Sequence, residues 1–226
     1  MKQIIKIQLP TRPQVDTILT LFIINEFGKE EFGDIFNTEI LINPLLEAGE
    51  TYQTKLEKGT LCIDVGGGPF DHHGADSGSA SKAAKYFNQE NNPSLRKLLE
   101  LAERSEKGKG TISQDPLDKA FGFDGTVMTL NKVHQNSPWR VIEALFPIIE
   151  AHYKEAHKRS VEYPELFTTL KKEGKAEEMV IKLNGKTWKS CIVHTSDSGF
   201  ISYLRAYSGG KFEIVAQVLP TGHTNI

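Results

Sequence analysis

Residues 60–74, with the sequence TLCIDVGGGPFDHHG, constrain the fold of this chain more than any other stretch. The first part is a short apolar and β-branched run, which predicts a buried strand that carries Asp64 near its end. Three glycines and a proline follow, so the chain can turn sharply but cannot continue as a helix. We therefore expect Asp71, His72 and His73 on a loop at the mouth of a sheet.

This loop places two adjacent imidazoles beside carboxylates, a combination that can bind a divalent metal at neutral pH. Imidazole suits Mn, Fe, Co and Zn, and carboxylates suit Mg and Mn, so the mixed set favours a cation of the manganese type, with Mg or Co as alternatives. Two histidines in a surface loop can also be solvated polar side chains without a ligand. The residues alone leave that interpretation open.

The stretch resembles motifs II and III of the DHH phosphoesterase superfamily, and the sequence IDVGGGPFDHH is most similar to the melanocyte proliferating gene (Myg-like) branch. The resemblance implies that Asp64 bridges two metals and that His72 is a metal ligand. It places His73 near the phosphate of the substrate, as a catalytic residue. It also makes Asp71 the acid that holds the two histidines in place.

The first motif of the superfamily is a histidine, two residues, a proline and Asp-x-Asp, and it belongs at the turn after the first strand. The matching turn here, PTRPQVD, keeps the proline and the final acid, Asp16. Pro10 stands in place of the histidine and Gln14 in place of the first acid. Proline cannot bind a metal, and an amide is a weaker ligand than a carboxylate. The resemblance therefore predicts a reduced, single-metal site on Asp16, Asp64 and His72, with Gln14 as a weak further ligand.

Residues 103–110, ERSEKGKG, match the Gly-Lys-Gly turn of the fourth motif. In the family an aspartate there completes the second metal site. Here Glu106 is the nearest acid that can act as a ligand, and a charged, solvated helix end explains the segment equally well. The resemblance further makes Arg12 and Lys109 candidates for binding the substrate.

Strands and helices alternate in the N-terminal part of the chain. A strand at residues 2–9, a turn and a helix that starts near Gln14 form the first half of a βαβ unit, and a second strand falls within residues 36–42. This alternation predicts an α/β domain with a parallel sheet. Apolar periodicity predicts further helices over residues 79–89, after Ser94, and over residues 123–133 and 137–157.

The C-terminal part is predicted to form a smaller α+β unit. Two strand-like runs are joined by Asn-Gly at residues 184–185, a strong hairpin signal, and a helix and a strand follow. We place the boundary so that residues 1–158 form the metal-binding domain and residues 159–226 the smaller unit. Because this part closes over the site in the family, the resemblance makes Arg205 and His223 candidate substrate contacts.

Composition excludes some classes of protein. The chain has 27 basic and 29 acidic side chains and a net charge of −2, so its overall charge does not indicate a nucleic-acid-binding protein. Cys62 and Cys191 lie in separate apolar runs, typical of buried thiols in a reducing compartment. No run approaches the roughly 18 apolar residues of a membrane span, and no signal-peptide pattern opens the chain. We expect a cytoplasmic protein without a membrane partner, and the resemblance allows a homodimer.

The leading hypothesis is a DHH-type, metal-dependent phosphoesterase that hydrolyses a phosphodiester or phosphomonoester in a short oligonucleotide or nucleotide. The alternative is a catalytically silent relative that binds a nucleotide or phosphate as a sensor or partner protein, because the first motif has lost two ligands. A structural zinc module is a third and weaker hypothesis, since the chain offers no cysteine pair for the metal.

Overall fold

A computed structural model describes residues 4–73, 77–108, 114–206 and 210–226, without the side chain of Asn37. The chain divides into unit 1, Met1–Tyr153, and unit 2, Lys154–Ile226. Each unit has its own hydrophobic core. The assignment of a metal-binding domain that ends at residue 158 stays a prediction.

Unit 1 contains a parallel three-stranded sheet with the order β2-β1-β3. Its strands are β1 (Lys6–Leu9), β2 (Glu39–Ile42) and β3 (Thr60–Cys62). Ile7, in the middle of the sheet, pairs with Ile40 on one side and with Leu61 on the other. The predicted parallel α/β arrangement is confirmed, and the carboxyl ends of the strands meet at one edge, where ligands bind in such sheets.

Unit 1 also contains the following helices, and the last of them runs past the end of the unit. They are α1 (Val15–Phe27), α2 (Lys29–Phe32), α3 (Tyr52–Glu57), α4 (Ser79–Tyr86), α5 (Arg96–Glu106), α6 (Pro116–Phe121), α7 (Phe123–Val133) and α8 (Trp139–His157). The predicted helix at residues 123–133 is confirmed at both ends. None of the described helices combines the length and the apolar character that a membrane span requires.

Helix α1 is the central helix of this core. Every residue from 15 to 24 is buried, so this part of α1 has no side that faces solvent. It packs against α4 and α5. Because Asp16 lies in its first turn, the same burial holds that carboxylate inside the protein, where only 1% of the residue is exposed.

The strand that carries the DVGGGP sequence is shorter than predicted. It was expected over residues 60–65, but β3 ends at Cys62. Asp64 adopts a left-handed backbone conformation with φ of 58°, and its N–H donates to the carbonyl oxygen of Phe70 at 2.8 Å, within its own loop, instead of to a neighbouring strand. The acid therefore lies in a turn directly beyond the carboxyl edge of the sheet.

Unit 2 has a four-stranded mixed sheet with the order β4-β5-β6-β7, in which only β5 and β6 are parallel. After a π-helical turn at Lys158–Glu162, its elements are α9 (Tyr163–Lys172), β4 (Ala176–Leu183), β5 (Lys186–His194), α10 (Ser198–Arg205), β6 (Ile214–Val218) and β7 (Thr224–Asn225). The predicted hairpin is confirmed, because Asn184 and Gly185 have φ of 50° and 74° between β4 and β5. Strand β7 was not predicted.

Asp197 caps helix α10 and joins it to the start of unit 2. Its carboxylate accepts a hydrogen bond from the N–H of Gly199 at 2.9 Å and lies 2.9 Å from the Nζ of Lys158. The hydroxyl of Tyr163 donates to it at 3.2 Å. Burial by itself would raise the pKa of Asp197, but the hydrogen bonds of Lys158 and Gly199 outweigh it, so the pKa is lower than usual.

Two substitutions of Asp197 distinguish the contribution of its capping hydrogen bond from that of its charge. Asp197→Ala removes both and should lower the free energy of unfolding by about 1 kcal/mol. Asp197→Asn keeps a capping acceptor and should lower the melting temperature less. Because the pKa of Asp197 is lower in the folded chain, its ionic contribution is complete above the unfolded-state pKa of about 3.9 and disappears as the pH falls through the folded-state value. The melting temperatures of the wild type and Asp197→Asn should therefore become equal in acid. A difference between the two melting temperatures that does not depend on pH would contradict this role.

Candidate metal centre

The loop after β3 is closed by its own backbone and by Asp71. The carboxylate of Asp71 accepts from the N–H of Gly67 at 2.7 Å and from the N–H of His73 at 3.0 Å. It also contacts the Nδ1 of His73 at 2.5 Å. Gly68 must lack a side chain, because a Cβ there would lie 2.1 Å from the ring of Tyr52. Asp71 therefore fixes the loop that presents the two histidines.

Asp71 and His73 shift each other's pKa. Burial alone would raise the pKa of Asp71, but the hydrogen bonds from His73 and Gly67 outweigh it and the pKa is lower than usual. The hydrogen bond with Asp71 raises the pKa of His73. The side chain of His73 is 71% exposed, so this ring is the open end of the pair, and Asp71 favours its protonated form.

Asp16 is bound to the first turn of α4. One of its oxygens, Oδ2, accepts from the N–H of Ser79 at 2.6 Å and from the hydroxyl of Ser79 at 2.8 Å, and the other accepts from the N–H of Ala80 at 2.9 Å. A Cβ on Gly78 would lie 2.8 Å from Oδ1 of Asp16. The carboxylate thus caps a helix that lies 63 positions further along the chain.

Two hydroxyl groups from neighbouring helices lie within hydrogen-bond distance of the Asp64 carboxylate. Thr17 in α1 donates to its Oδ2 at 2.8 Å. The hydroxyl of Ser79 lies 2.9 Å from its Oδ1 and 2.8 Å from Asp16, but a hydroxyl has one proton and can donate to only one of the two acids at a time. Ser79 therefore connects the two buried carboxylates without satisfying both.

His72 lies between three acids that come from different parts of the fold. Its Nδ1 is 2.6 Å from Oδ1 of Asp64 and 3.6 Å from Oδ2 of Asp16. Its Nε2 is 3.3 Å from Oε2 of Glu106, the last residue of α5. The start of α1, the turn after β3 and the end of α5 therefore bring their polar side chains together around one imidazole.

These side chains form two groups that share His72 and could hold a divalent cation. The first group is Asp64, Asp71, His72 and His73, and the second is Asp16, His72 and Glu106. Within each group the ligand atoms lie within 4.8 Å of one another. Carboxylate oxygens and imidazole nitrogens are the donor set that Mn and related cations accept.

The charges in this cluster also suit a cation. Burial raises the pKa of Asp64, and the hydrogen bond from Thr17 and the charge of His72 offset only part of this effect. Burial likewise raises the pKa of Glu106, and the charges of Asp16 and Asp64 add to the effect, although His72 opposes it. Both acids are less easily ionised than usual chiefly because they are buried, with neighbouring negative charge adding to the effect, and a bound cation would compensate that charge.

A cleft of about 660 Å³ opens in unit 1 between the turn after β1, the end of α5 and the helices α6 and α7. Arg12, Lys119 and Lys132 line it, and we call it the cationic cleft. Gln14 lines it as well. None of the four acids and two histidines of the metal groups is among its lining residues, so the cationic cleft is a separate feature of the same unit.

The predicted site residues have three different outcomes. Asp16, Asp64, Asp71, His72, His73 and Glu106 are brought together. Arg12 and Gln14 are exposed in the cationic cleft, so their roles stay predictions. Lys109 lies outside the described residues. Arg205 and His223 are exposed side chains of unit 2, and their contact with a substrate also stays a prediction.

Thr17 and Ser79 were not recognised from the sequence. Ser79 was predicted only as the first residue of a helix, and nothing in the local pattern shows which acid it meets. Thr17 follows Asp16 by one position and could have been suspected as a polar residue in the largely apolar helix α1.

Replacing Ser79 by alanine tests the connection between the two buried acids. The substitution removes a hydroxyl that is fully buried between Asp16, Asp64 and His72 and should lower the free energy of unfolding by about 1–3 kcal/mol. Ser81→Ala, two residues later in the same helix, is the matched control and should change it much less. Chemical denaturation of the metal-free protein measures both. Equal effects of the two substitutions would show that the Ser79 hydroxyl contributes nothing specific.

Comparisons of this chain with protein-family profiles, with curated proteins and with solved structures found no match.

Proposed function

We propose that this chain is a metal-dependent phosphoesterase of the DHH type that acts on a phosphodiester or phosphomonoester, with Mn as its cation. The proposal joins the resemblance of residues 60–74 to the superfamily with the gathering of its predicted ligands around His72. The substrate class, a short oligonucleotide or nucleotide, comes from the resemblance.

One observation carries the proposal: both ring nitrogens of His72 face carboxylate oxygens. Nδ1 lies 2.6 Å from Asp64 and Nε2 lies 3.3 Å from Glu106. A neutral imidazole has one N–H, so one of these contacts would place a nitrogen lone pair against an anionic oxygen. Either a second proton or a cation relieves that repulsion. Asp16 also lies 3.6 Å from Nδ1, so a divalent cation would compensate more of the negative charge around the ring than one proton would.

The side chains of the chain have distinct roles in this proposal. Asp16, His72 and Glu106, which form one of the two ligand groups, would hold the cation, and Asp64 would orient the ring of His72 through Nδ1. A bound divalent cation supplies charge to neutralise phosphate oxygens and to acidify an attacking water. His73 is exposed, and Asp71 favours its protonated form, which can donate a hydrogen bond to a phosphate oxygen or a proton to a leaving group.

A specific observation also favours the silent alternative. Asp16 already accepts two N–H hydrogen bonds from the first turn of α4 and shares the Ser79 hydroxyl with Asp64, so much of its ligand capacity serves the fold. The turn after β1 has Pro10 and Gln14 where the superfamily has a histidine and an acid. A chain with this turn can bind a cation and a phosphate without hydrolysing the ester, as a sensor or partner protein would.

Removal of the His72 imidazole should abolish the metal site. We expect calorimetric titration with Mn to show binding to the wild type, and His72→Ala to weaken it at least about tenfold, because the ring belongs to both ligand groups. His152→Ala, an exposed histidine of α8, is the matched control and should bind Mn as the wild type does. Hydrolysis of a generic phosphodiester should follow Mn occupancy across the three proteins. No binding by the wild type, or equal binding by His72→Ala, would refute the proposed site.

Restoring the superfamily residues in the turn after β1 decides between the two candidates. In the double variant Pro10→His with Gln14→Asp, the turn regains an imidazole and a carboxylate. If the wild type is a silent relative, phosphodiester hydrolysis should appear only in this variant. Gln135→Asp adds a carboxylate elsewhere in the cationic cleft and is the control that should gain nothing. Measurable Mn-dependent hydrolysis by the wild type would instead establish the enzyme and exclude the silent alternative.

A further inference from the structure

The walls of the cationic cleft are fixed to each other by a buried amide. Asn131 in α7 is 9% exposed, and its side-chain nitrogen donates to the carbonyl oxygen of Pro13 at 2.9 Å and to that of Val127 at 3.1 Å. This contact joins α7 to the turn after β1 across 118 positions of the sequence. The cleft is therefore a preformed feature of unit 1, which lowers the cost of ordering it around a ligand.

Positive charge dominates the cleft, although the whole chain has a net charge of −2. Arg12, Lys119 and Lys132 line it against one acid, Asp124. Asp124 accepts a hydrogen bond from the Ser105 hydroxyl at 2.7 Å and forms no ion pair with a described residue. Within the described ranges Arg12 and Lys132 form no ion pair either, so their charges are available to an anionic ligand.

The cleft also offers an apolar surface beside these cations. Val15 and Val127 are buried at its wall, and Met128 is 60% exposed. Thioether and aliphatic groups pack well against flat, polarizable rings. A ligand that matches the whole cleft is therefore anionic at one end and apolar at the other.

The size of the cleft limits the ligand further. A volume of about 660 Å³ lies in the middle of the range for sites of small organic molecules. An extended polynucleotide instead needs a basic stripe that follows its backbone over several phosphates. In the described part of the chain the three cations that line the cleft do not form such a stripe, and the overall charge of the chain is negative.

We propose that the cationic cleft binds a single organic phosphate of the size of a nucleoside monophosphate, with the phosphate held by Arg12 and Lys132 and the ring against Met128. The cleft adjoins the metal groups along the chain, because Val15 precedes Asp16 and Ser105 precedes Glu106. Only the role of this ligand as a substrate or product of the metal site rests on the proposed function. Its binding requires no cation.

The test is a titration of the whole chain with AMP in EDTA at low salt, followed by calorimetry or by NMR. AMP should bind, and adenosine and inorganic phosphate should each bind more weakly, because each lacks one end of the ligand. Arg12→Ala and Lys132→Ala should each weaken AMP binding about tenfold. Both side chains are exposed, so the variants should fold. Lys97→Ala, an exposed cation on α5 outside the cleft, is the matched control and should leave binding unchanged.

Three results would overturn the inference. They are no AMP binding, equal effects of Lys97→Ala and the cleft variants, and tighter binding of a single strand of about ten nucleotides with a steeper salt dependence than AMP shows. The two proposals fail separately. AMP binding in EDTA without Mn-dependent hydrolysis supports the cleft and refutes the enzyme, whereas Mn-dependent hydrolysis without AMP binding supports the enzyme and refutes the cleft ligand.

Discussion

The capping of α4 by Asp16 is the interaction on which the candidate site depends. Asp16 comes from the first turn of α1, and its carboxylate accepts hydrogen bonds from the N–H groups of Ser79 and Ala80, on the far side of the glycine-rich loop. The contact is fully buried, and the unpaired N–H groups at a helix start make it favourable for an anion. Because α4 begins shortly after His73, this cap also limits where the two histidines can lie.

The loop between β3 and α4 is held from within in the same way. Asp64 is in a left-handed conformation that costs a residue with a side chain about 1 kcal/mol or more, and the bond from its N–H to Phe70 compensates part of that cost. Asp71 binds the backbone of Gly67 and the ring of His73. The Asp71 carboxylate therefore stabilises the loop in addition to any role as a ligand.

Sequence patterns predicted the elements that local chemistry determines. The Asn-Gly hairpin, the helix at Phe123–Val133 and the strand at Glu39–Ile42 follow from turn chemistry and apolar periodicity. The early end of β3 could not be predicted in this way, because it depends on a carbonyl group six positions later in the loop. The cap of α4 by Asp16 and the contact of His72 with Glu106 join residues far apart in the chain, and no local pattern encodes such contacts. The resemblance named the acids that converge but not the hydroxyls of Thr17 and Ser79 that hold them.

The geometry around Asp16 and His72 also restricts how a cation can be bound. A carboxylate offers about four lone-pair positions. On Asp16 the N–H groups of Ser79 and Ala80 occupy two of them, and the Ser79 hydroxyl, which it shares with Asp64, competes for a third, so this acid has little capacity left for a cation. In the described part of the chain the Glu106 carboxylate caps no helix, and its contact is with His72. If Nδ1 of His72 keeps its proton for Asp64, then Nε2 is the nitrogen that can bind a metal, and it faces Glu106. The arrangement therefore favours a cation on the Glu106 side of the ring, although the superfamily resemblance alone pointed to the side of Asp64.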